Sequence, residues 1–313
     1  MENNTADQPL LNQYDDEIDL RELFAVLWAG KIKIIVITAV FAVASVIYAL
    51  SVPNQYKATA LLAPAQSDGG GLSGALGQLG GLASLAGVSL GGGESGEAQI
   101  AQEIMKSWSY IEGFIADNNI AVEVYAAEGW SKSSNTLQVN SDAYDTKENK
   151  WLIKDESGAI GPPSSWALFE RFNQMLSVSE DKKSGLVSVS IEYYSPQIAK
   201  QWVDLYVQSV NRFMQQRQVD KVTRNINYLQ EQIEKTSIAQ MQEVFYTIIE
   251  EQTKNKMLAE ASPEYAFVAV GPSMVPELKS QPKRALICIL GTLLGGMLSV
   301  LMVLIMHYAK KSD

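Results

Sequence analysis

Two long runs without a charged residue constrain this chain more than any other feature of its sequence. They cover residues 34–52 and 285–306, which is 19 and 22 residues. As helices they would measure about 28 and 33 Å, and the hydrocarbon core of a bilayer is about 30 Å thick. The sequence therefore predicts two membrane spans, one near each end of the chain.

The segment between the spans lacks the side chains that many catalytic sites need. The only histidine, His307, follows the second span, and the only cysteine, Cys288, lies within it. A Ser-His-Asp triad, a cysteine nucleophile, a zinc site built on His or Cys and a disulfide framework are therefore excluded from residues 53–284. We predict no catalytic, cofactor-binding or metal-binding residue.

The charge of the same segment argues against nucleic acid as a partner. Residues 53–284 carry 20 basic and 27 acidic side chains, a net charge of −7. Proteins that bind nucleic acid neutralise phosphates with clustered Lys and Arg. No nucleic acid partner is predicted.

Basic residues near the first span predict the orientation of the chain. Arg21, Lys31 and Lys33 precede that span, whereas only Lys57 follows it closely. Lys and Arg are retained on the cytoplasmic side, so both termini are expected in the cytoplasm. A cleaved signal peptide is the alternative, but 33 residues, seven of them acidic, precede the run. The expected organisation is a cytoplasmic tail (1–33), a first span (34–52), an extracytoplasmic domain (53–284), a second span (285–306) and a short cytoplasmic tail (307–313).

An amphipathic stretch leads into the first span. Its apolar side chains recur at helical spacing and share one face: Leu20, Leu23, Phe24, Leu27 and Trp28. Trp is enriched at the headgroup level of membranes. We predict an interfacial helix with Leu20, Leu27 and Trp28 as its anchors, although a plain lead-in to the span would show the same pattern.

The extracytoplasmic segment mixes strand and helix patterns. Residues 56–62 and 187–193 are predicted strands, and residues 151–153 are a short strand candidate. Amphipathic helices are predicted over residues 98–117 and from 162–164 to about Leu176. The predicted fold is an α+β domain, with a mixed sheet as its base and long amphipathic helices that protrude from it, anchored by two transmembrane helices.

The most regular pattern begins at Ser195 and Pro196, a good N-cap and first helical residue. No Pro or Gly follows until Pro263, which predicts a helix of about 60 Å over residues 196–235 and a second helix from about 238 to 260. The apolar stripe has spacings of three and four residues: Val222, Ile226, Leu229 and Ile233, then Ile238, Met241, Phe245 and Ile248. Core packing within one subunit would explain it, but so long a stripe favours self-association.

Glycine dominates residues 67–96, with 12 of the 22 glycines of the chain. Such a density disfavours regular structure, and no glycine there precedes a lysine as a P-loop requires. The interleaved leucines are compatible with an apolar segment that packs on neighbours, or with a plain flexible loop.

The approach to the second span is rich in proline, with Pro272, Pro276 and Pro282, and a strand is predicted just before it at 266–270. Within the span stand Gly291, Gly295 and Gly296. Small residues spaced by four allow helix backbones to approach closely. We predict that Pro276, Pro282, Lys283, Gly291, Gly295 and Gly296 set the packing of the span and the geometry of an oligomer.

The order of these features resembles the Wzz-type chain length determinants, the polysaccharide co-polymerases of Gram-negative inner membranes. The most specific part of the resemblance is Pro282-Lys283 and Leu294-Gly295-Gly296-Met297. It implies a ring-like homo-oligomer with a periplasmic domain that regulates lipopolysaccharide O-antigen chain length without being an enzyme. Its implied partners are the O-antigen polymerase, the growing lipid-linked polysaccharide and the membrane.

Three alternatives remain at this point. A capsule or exopolysaccharide co-polymerase would work with a separate tyrosine kinase, although the seven residues 307–313 offer little docking surface. A two-span periplasmic sensor would need an output domain after the second span. A glycoside hydrolase built on two carboxylates is compatible with the composition, but no pair of acids stands out.

Overall fold

The computed structural model describes residues 20–65, 94–154 and 158–311. These residues form two compact units, which we call the span unit (the described residues up to Val52 and from Lys283 onward) and the outer unit (the described residues between Pro53 and Pro282). Most of the glycine-rich segment 67–96 lies outside the described residues; its last three residues begin a helix.

The described part of the span unit contains three helices. Helix α1 covers Leu20–Ala29, α2 covers Lys31–Ser51, and the last helix of the chain, α9, covers Arg284–Lys311. Both α2 and α9 are long and apolar enough to cross a membrane. They contain the two predicted spans except Val52, whose backbone is already extended.

The outer unit is built from six helices and ten strands among its described residues. The helices are α3 (Glu94–Lys106), α4 (Trp108–Asp117), α5 (Ala121–Tyr125), α6 (Ser165–Met175), α7 (Pro196–Lys235) and α8 (Ala239–Glu260). The strands are β1 (Tyr56–Pro64), β2 (Ala127–Ser131), β3 (Thr136–Val139), β4 (Tyr144–Asp145), β5 (Lys150–Trp151), β6 (Ile153–Lys154), β7 (Ile160–Gly161), β8 (Leu176–Glu180), β9 (Val187–Tyr193) and β10 (Phe267–Ala269).

The main sheet has the strand order β10-β1-β9-β8. All of its ladders are antiparallel. The predicted α+β class is confirmed, but the base sheet is antiparallel where a mixed sheet was predicted. Strands β8 and β9 are joined by the short turn 181–186, which can connect only antiparallel neighbours.

An aromatic core joins this sheet to the helices. Val187, Val189 and Ile191 of β9 are fully buried, and the ring of Tyr193 lies 4.5 Å from that of Trp202 on α7. Ser190 is buried as well, and its hydroxyl is satisfied by a hydrogen bond of 3.0 Å with the hydroxyl of Thr59 on β1. The strand is thus more deeply buried than the half-buried strand that its alternating pattern predicts.

One predicted helix is divided in two. Residues 98–117 were expected to form a single helix, but α3 ends at Lys106 and α4 begins at Trp108. The Ser107 hydroxyl donates to the carbonyl of Ile104 at 2.7 Å, and its backbone is extended. A serine that bonds back to the preceding turn offers the backbone an alternative to the continuing helix.

Small hairpins occupy the polar stretch that follows. Strands β2 and β3, β4 and β5, and β6 and β7 form three two-stranded ladders. The strand candidate at 151–153 is therefore split between β5 and β6, because Leu152 donates its N–H to Ala143 instead.

The long helix pair begins and ends as predicted. Ser195 is the N-cap of α7, and its hydroxyl accepts the N–H of Ile198 at 3.5 Å. The first half of α7 packs on the sheet, whereas after Met214 only Val222 is buried. We call the part of α7 after Met214 together with α8 the arm.

Candidate assembly surfaces

Small residues mediate the contact between α2 and α9 in the span unit. A Cβ atom added at Gly291 would lie 2.5 Å from the Ser45 Cβ, and one added at Gly295 would lie 2.4 Å from the Phe41 Cβ. Distances below 3.0 Å do not occur for real Cβ atoms. Glycine at both positions is therefore what allows the two helices to approach so closely.

The same line of contact continues toward the far end of α9. Four residues after Gly295, the side chain of Ser299 is fully buried and its hydroxyl lies 3.4 Å from that of Thr38. Four residues further on, Val303 lies against Gly30, where an added Cβ would be 2.5 Å away. Residues spaced by four form one ridge on a helix, so this ridge is the face that α9 presents to α1 and α2.

The other predicted residues lie off this ridge. A Cβ atom at Gly296 would have nothing within 4 Å, so that glycine faces away from α2. Pro282 is buried, Pro276 is half-buried and Lys283 is exposed. Their roles in an oligomer remain predictions.

The three residues predicted as anchors belong to α1. Leu20 is its first residue, and Leu27 is half-buried. Trp28 is 62% exposed, stacks on Phe24 with ring centroids 6.2 Å apart and lies 4.7 Å from the Lys31 ammonium. An exposed indole beside a cation is the arrangement typical of a headgroup anchor.

The arm is a helical hairpin closed by two glutamine side chains. Near the base, the Gln215 amide donates to the carbonyls of Ala259 and Ser262 at 2.9 and 3.1 Å. Near the tip, the Gln242 amide donates to the carbonyl of Thr236 at 2.9 Å. The Gln215 bonds tie α7 to the end of α8, and the Gln242 bond ties α8 to the turn that follows α7.

Apolar side chains on the arm divide into two sets. Residues of the predicted stripe that lie between α7 and α8 are buried or half-buried: Val222, Ile226, Leu229, Ile233, Phe245 and Ile248. A second set is exposed, with 43–65% of each residue accessible: Tyr228, Ile238, Met241, Val244, Tyr246, Met257 and Leu258. Part of the stripe is thus covered within one chain, while seven large apolar residues are left at the surface.

The strongly shifted tyrosines belong to the core. Burial raises the pKa of Tyr206 well above its ordinary value, and its hydroxyl donates to the Met105 carbonyl. Burial likewise raises the pKa of Tyr110 and Tyr193. A tyrosine that stays neutral serves as a hydrogen-bond donor, so these groups fix packing. Among the described residues, no group of three or more His, Cys, Asp or Glu side chains is placed to hold a metal ion.

Several contact residues escaped the sequence reasoning. Phe41, Ser45 and Thr38 on α2 meet the α9 ridge, and Gly30 meets Val303. Thr38 and Ser45 carry a signal that could have identified them, because small polar residues within an apolar run concentrate where membrane helices touch.

Residues 16–118 match the model of the Wzz family, described as chain length determinant protein. The predicted resemblance to the Wzz family is confirmed. The match to the Wzz family runs from just before α1 through α4.

Two solved structures are similar over much of their length. A full-length bacterial polysaccharide co-polymerase has 15% identity and a TM-score of 0.38, with 95% of this chain and 99% of that one covered. A fragment of WzzB, a polysaccharide co-polymerase from Salmonella Typhimurium, has 13% identity and a TM-score of 0.30, with 73% and 100% covered. A search of curated proteins gave no match.

Proposed function

We propose that this chain is a non-enzymatic regulator of O-antigen chain length that acts as a homo-oligomeric scaffold together with the O-antigen polymerase. The match to the chain length determinant family is the observation that carries the proposal. The paired helices α2 and α9 supply the membrane tether, in the inner membrane. The basic residues Arg21, Lys31 and Lys33, which precede the charge-free run 34–52, support cytoplasmic termini and a periplasmic outer unit.

The exposed apolar residues of the arm support self-association. Residues such as Tyr246 and Met257, at 60% and 65% exposure, sit on a hairpin that has no sheet beside it. Exposed apolar patches on monomeric proteins are small, and larger ones mark interaction sites. Complete burial of an exposed apolar side chain is worth about 1.5–3 kcal/mol. Since about half of each of these residues is already covered, its burial against a second copy would stabilise an assembly by about 1 kcal/mol.

When copies join in this way, the geometry of the assembly determines polymer length. A closed ring presents the same surface several times, at fixed spacing, to the polymerase and the growing lipid-linked glycan. Weak contacts repeated around the ring gain from a high effective concentration, so retention of the glycan rises with the number of sites that it reaches. Chain length is then set by the assembly and not by a catalytic residue.

The decisive experiment is deletion of the gene in the strain that carries it, followed by electrophoresis of the surface polysaccharide. We expect the modal length distribution to collapse, and complementation with the full chain to restore it. An unchanged modal distribution in the deletion strain would refute the proposal. A loss of capsule together with copurification of a tyrosine kinase would instead favour an exopolysaccharide co-polymerase.

A further inference from the structure

A cleft in the outer unit has the size of a ligand site. Its volume is about 450 Å³, and it lies between one face of α7, the paired ends of β1 and β10, and the segment that follows β10. Sites for small ligands fall between about 300 and 1,000 Å³. The membrane tether does not use this cleft, and of the arm only Gln215 at its base lines it.

The floor of the cleft is apolar and narrow. Ala60 and Leu62 of β1 meet Val207 of α7 there. Leu62 is fully buried and Ala60 is 5% exposed, so these two side chains support the floor from beneath. The accessible apolar lining comes from Val207, which is half-buried, and from Ala269 and Pro272, which are exposed. Val207, Ala269 and Pro272 thus give the floor a small apolar surface.

A buried asparagine fixes the wall of the cleft. The Asn211 Oδ1 accepts the N–H groups of Ala266 and Phe267 at 2.9 and 2.8 Å, and its amide donates to the Phe267 carbonyl at 2.8 Å. All of these groups are buried, so β10 cannot leave α7 without exposing several unpaired polar atoms. The cleft is therefore preformed, which lowers the entropic cost of binding.

Polar side chains converge at the rim. Gln208, Arg212 and Glu264 line the cleft and are exposed, and no hydrogen-bond partner engages their side chains within the described ranges. Asp204 differs, because it accepts hydrogen bonds from Lys200 at 2.5 Å and from Ser273. The rim thus offers donors from an amide and a guanidinium beside carboxylate acceptors.

This set of groups selects the chemical class of the ligand. The lining carries one cationic side chain, Arg212, and one carboxylate that forms no ion pair with any described residue, Glu264, while the Asp204 carboxylate is paired with Lys200. The formal charges therefore cancel, which favours a neutral polar ligand over a strong anion or a cation. Hydroxyl groups both donate and accept, and a sugar presents several of them around a small apolar ring face. Since this step rests on the proposed function, the polymer in question is the glycan whose length the protein controls.

We propose that this cleft is a saccharide subsite, in which Gln208 and Arg212 hydrogen-bond the hydroxyl groups of a short stretch of the polysaccharide and the floor receives the ring. A glycan held here in each copy of a ring gives the repeated weak contact that length control requires.

The test uses the full chain in detergent micelles and short oligosaccharides released from the surface polysaccharide of the strain that carries the gene. Binding is measured by saturation-transfer NMR and titration calorimetry. We expect Arg212→Ala and Gln208→Ala each to weaken binding about tenfold, as loss of a hydrogen bond to a charged or amide group typically does. Arg217→Ala is the matched control, because Arg217 is an exposed arginine on the same helix outside the cleft.

Both variants lie on the surface, so circular dichroism should show an unchanged fold. If the wild-type chain binds no oligosaccharide, or if Arg212→Ala and Gln208→Ala bind as well as Arg217→Ala, the subsite is refuted. The proposed function is tested separately by the deletion strain. A collapsed length distribution there, with no saccharide bound at the cleft, would refute the subsite and leave the function standing.

Discussion

Replacement of Gly295 by alanine tests whether the contact between α2 and α9 is as close as the structure has it. The added methyl group would lie 2.4 Å from the Phe41 Cβ and 2.8 Å from its Cγ. Both atoms are near the backbone of α2, so rotation of the ring cannot clear the space. The helices must separate or shift.

The expected magnitude follows from two opposing effects. Overpacking of a close contact costs about 1–3 kcal/mol. Alanine also favours the helix over glycine by about 1 kcal/mol. The second effect operates at Gly296 as well, where an added Cβ has nothing within 4 Å. The difference between Gly295→Ala and Gly296→Ala therefore isolates the steric cost, at about 1–3 kcal/mol.

The assay measures separation of the two helices directly. A donor and an acceptor dye are placed by Ala29→Cys and Tyr308→Cys in a Cys288→Ala background, since both dye positions are exposed in the span unit. Loss of energy transfer on titration with SDS gives the free energy of separation for each variant.

We expect Gly295→Ala to separate at a lower SDS fraction than the parent, and Gly296→Ala to match the parent or exceed it. Equal behaviour of the two variants would refute the reasoning, because the steric contact is then not specific to the face that α9 presents to α2. A greater loss for Gly296→Ala would place the wrong face of α9 against α2.

Three further predictions concern the outer unit. Asn211→Ala should lower the free energy of unfolding by about 3 kcal/mol, because it leaves buried backbone groups of β10 without a hydrogen-bond partner. Thermal unfolding of the full chain, followed by circular dichroism, checks this. An unchanged midpoint would contradict it. Ser164→Ala removes a hydroxyl that accepts the Ala167 N–H at 3.1 Å, and should cost about 1 kcal/mol in the same assay. Tyr246→Asp should lower the mass of the detergent-extracted protein toward that of the monomer, since it puts a charge on the exposed face of the arm; an unchanged mass would remove Tyr246 from the interface.

Some of the fold follows directly from sequence. A charge-free run of this length crosses a membrane as a helix, because a helix satisfies its own backbone hydrogen bonds, so α2 and α9 were predictable from the runs. The start of helix α7 was predictable because serine is a favoured N-cap residue and proline a favoured first helical residue, as Ser195 and Pro196 are here. Strands β1 and β9 show the period of two that a sheet imposes.

Other features depend on contacts that sequence spacing does not encode. Ser107 divides a helical pattern because its hydroxyl reaches back to Ile104, and a serine within a helix often does not do so. Gly295 and Gly296 are neighbours in sequence, but only the packing of α9 on α2 distinguishes them.

The saccharide subsite could not be predicted from the sequence for the same reason. Its floor and rim join residues far apart along the chain, from Ala60 to Ser273. Gln208 and Arg212 look like ordinary surface residues of a long helix. Gln208 and Arg212 line one cleft only because β10 packs on α7 through Asn211.

The most direct test of the central claim is the mass of the full chain extracted in native membrane patches. The account predicts a single species at a multiple of the 34.3 kDa protomer, with more than two copies, because a closed ring needs at least three. A strictly monomeric mass across concentrations would contradict it, since a lone copy has no neighbours from which to build a scaffold.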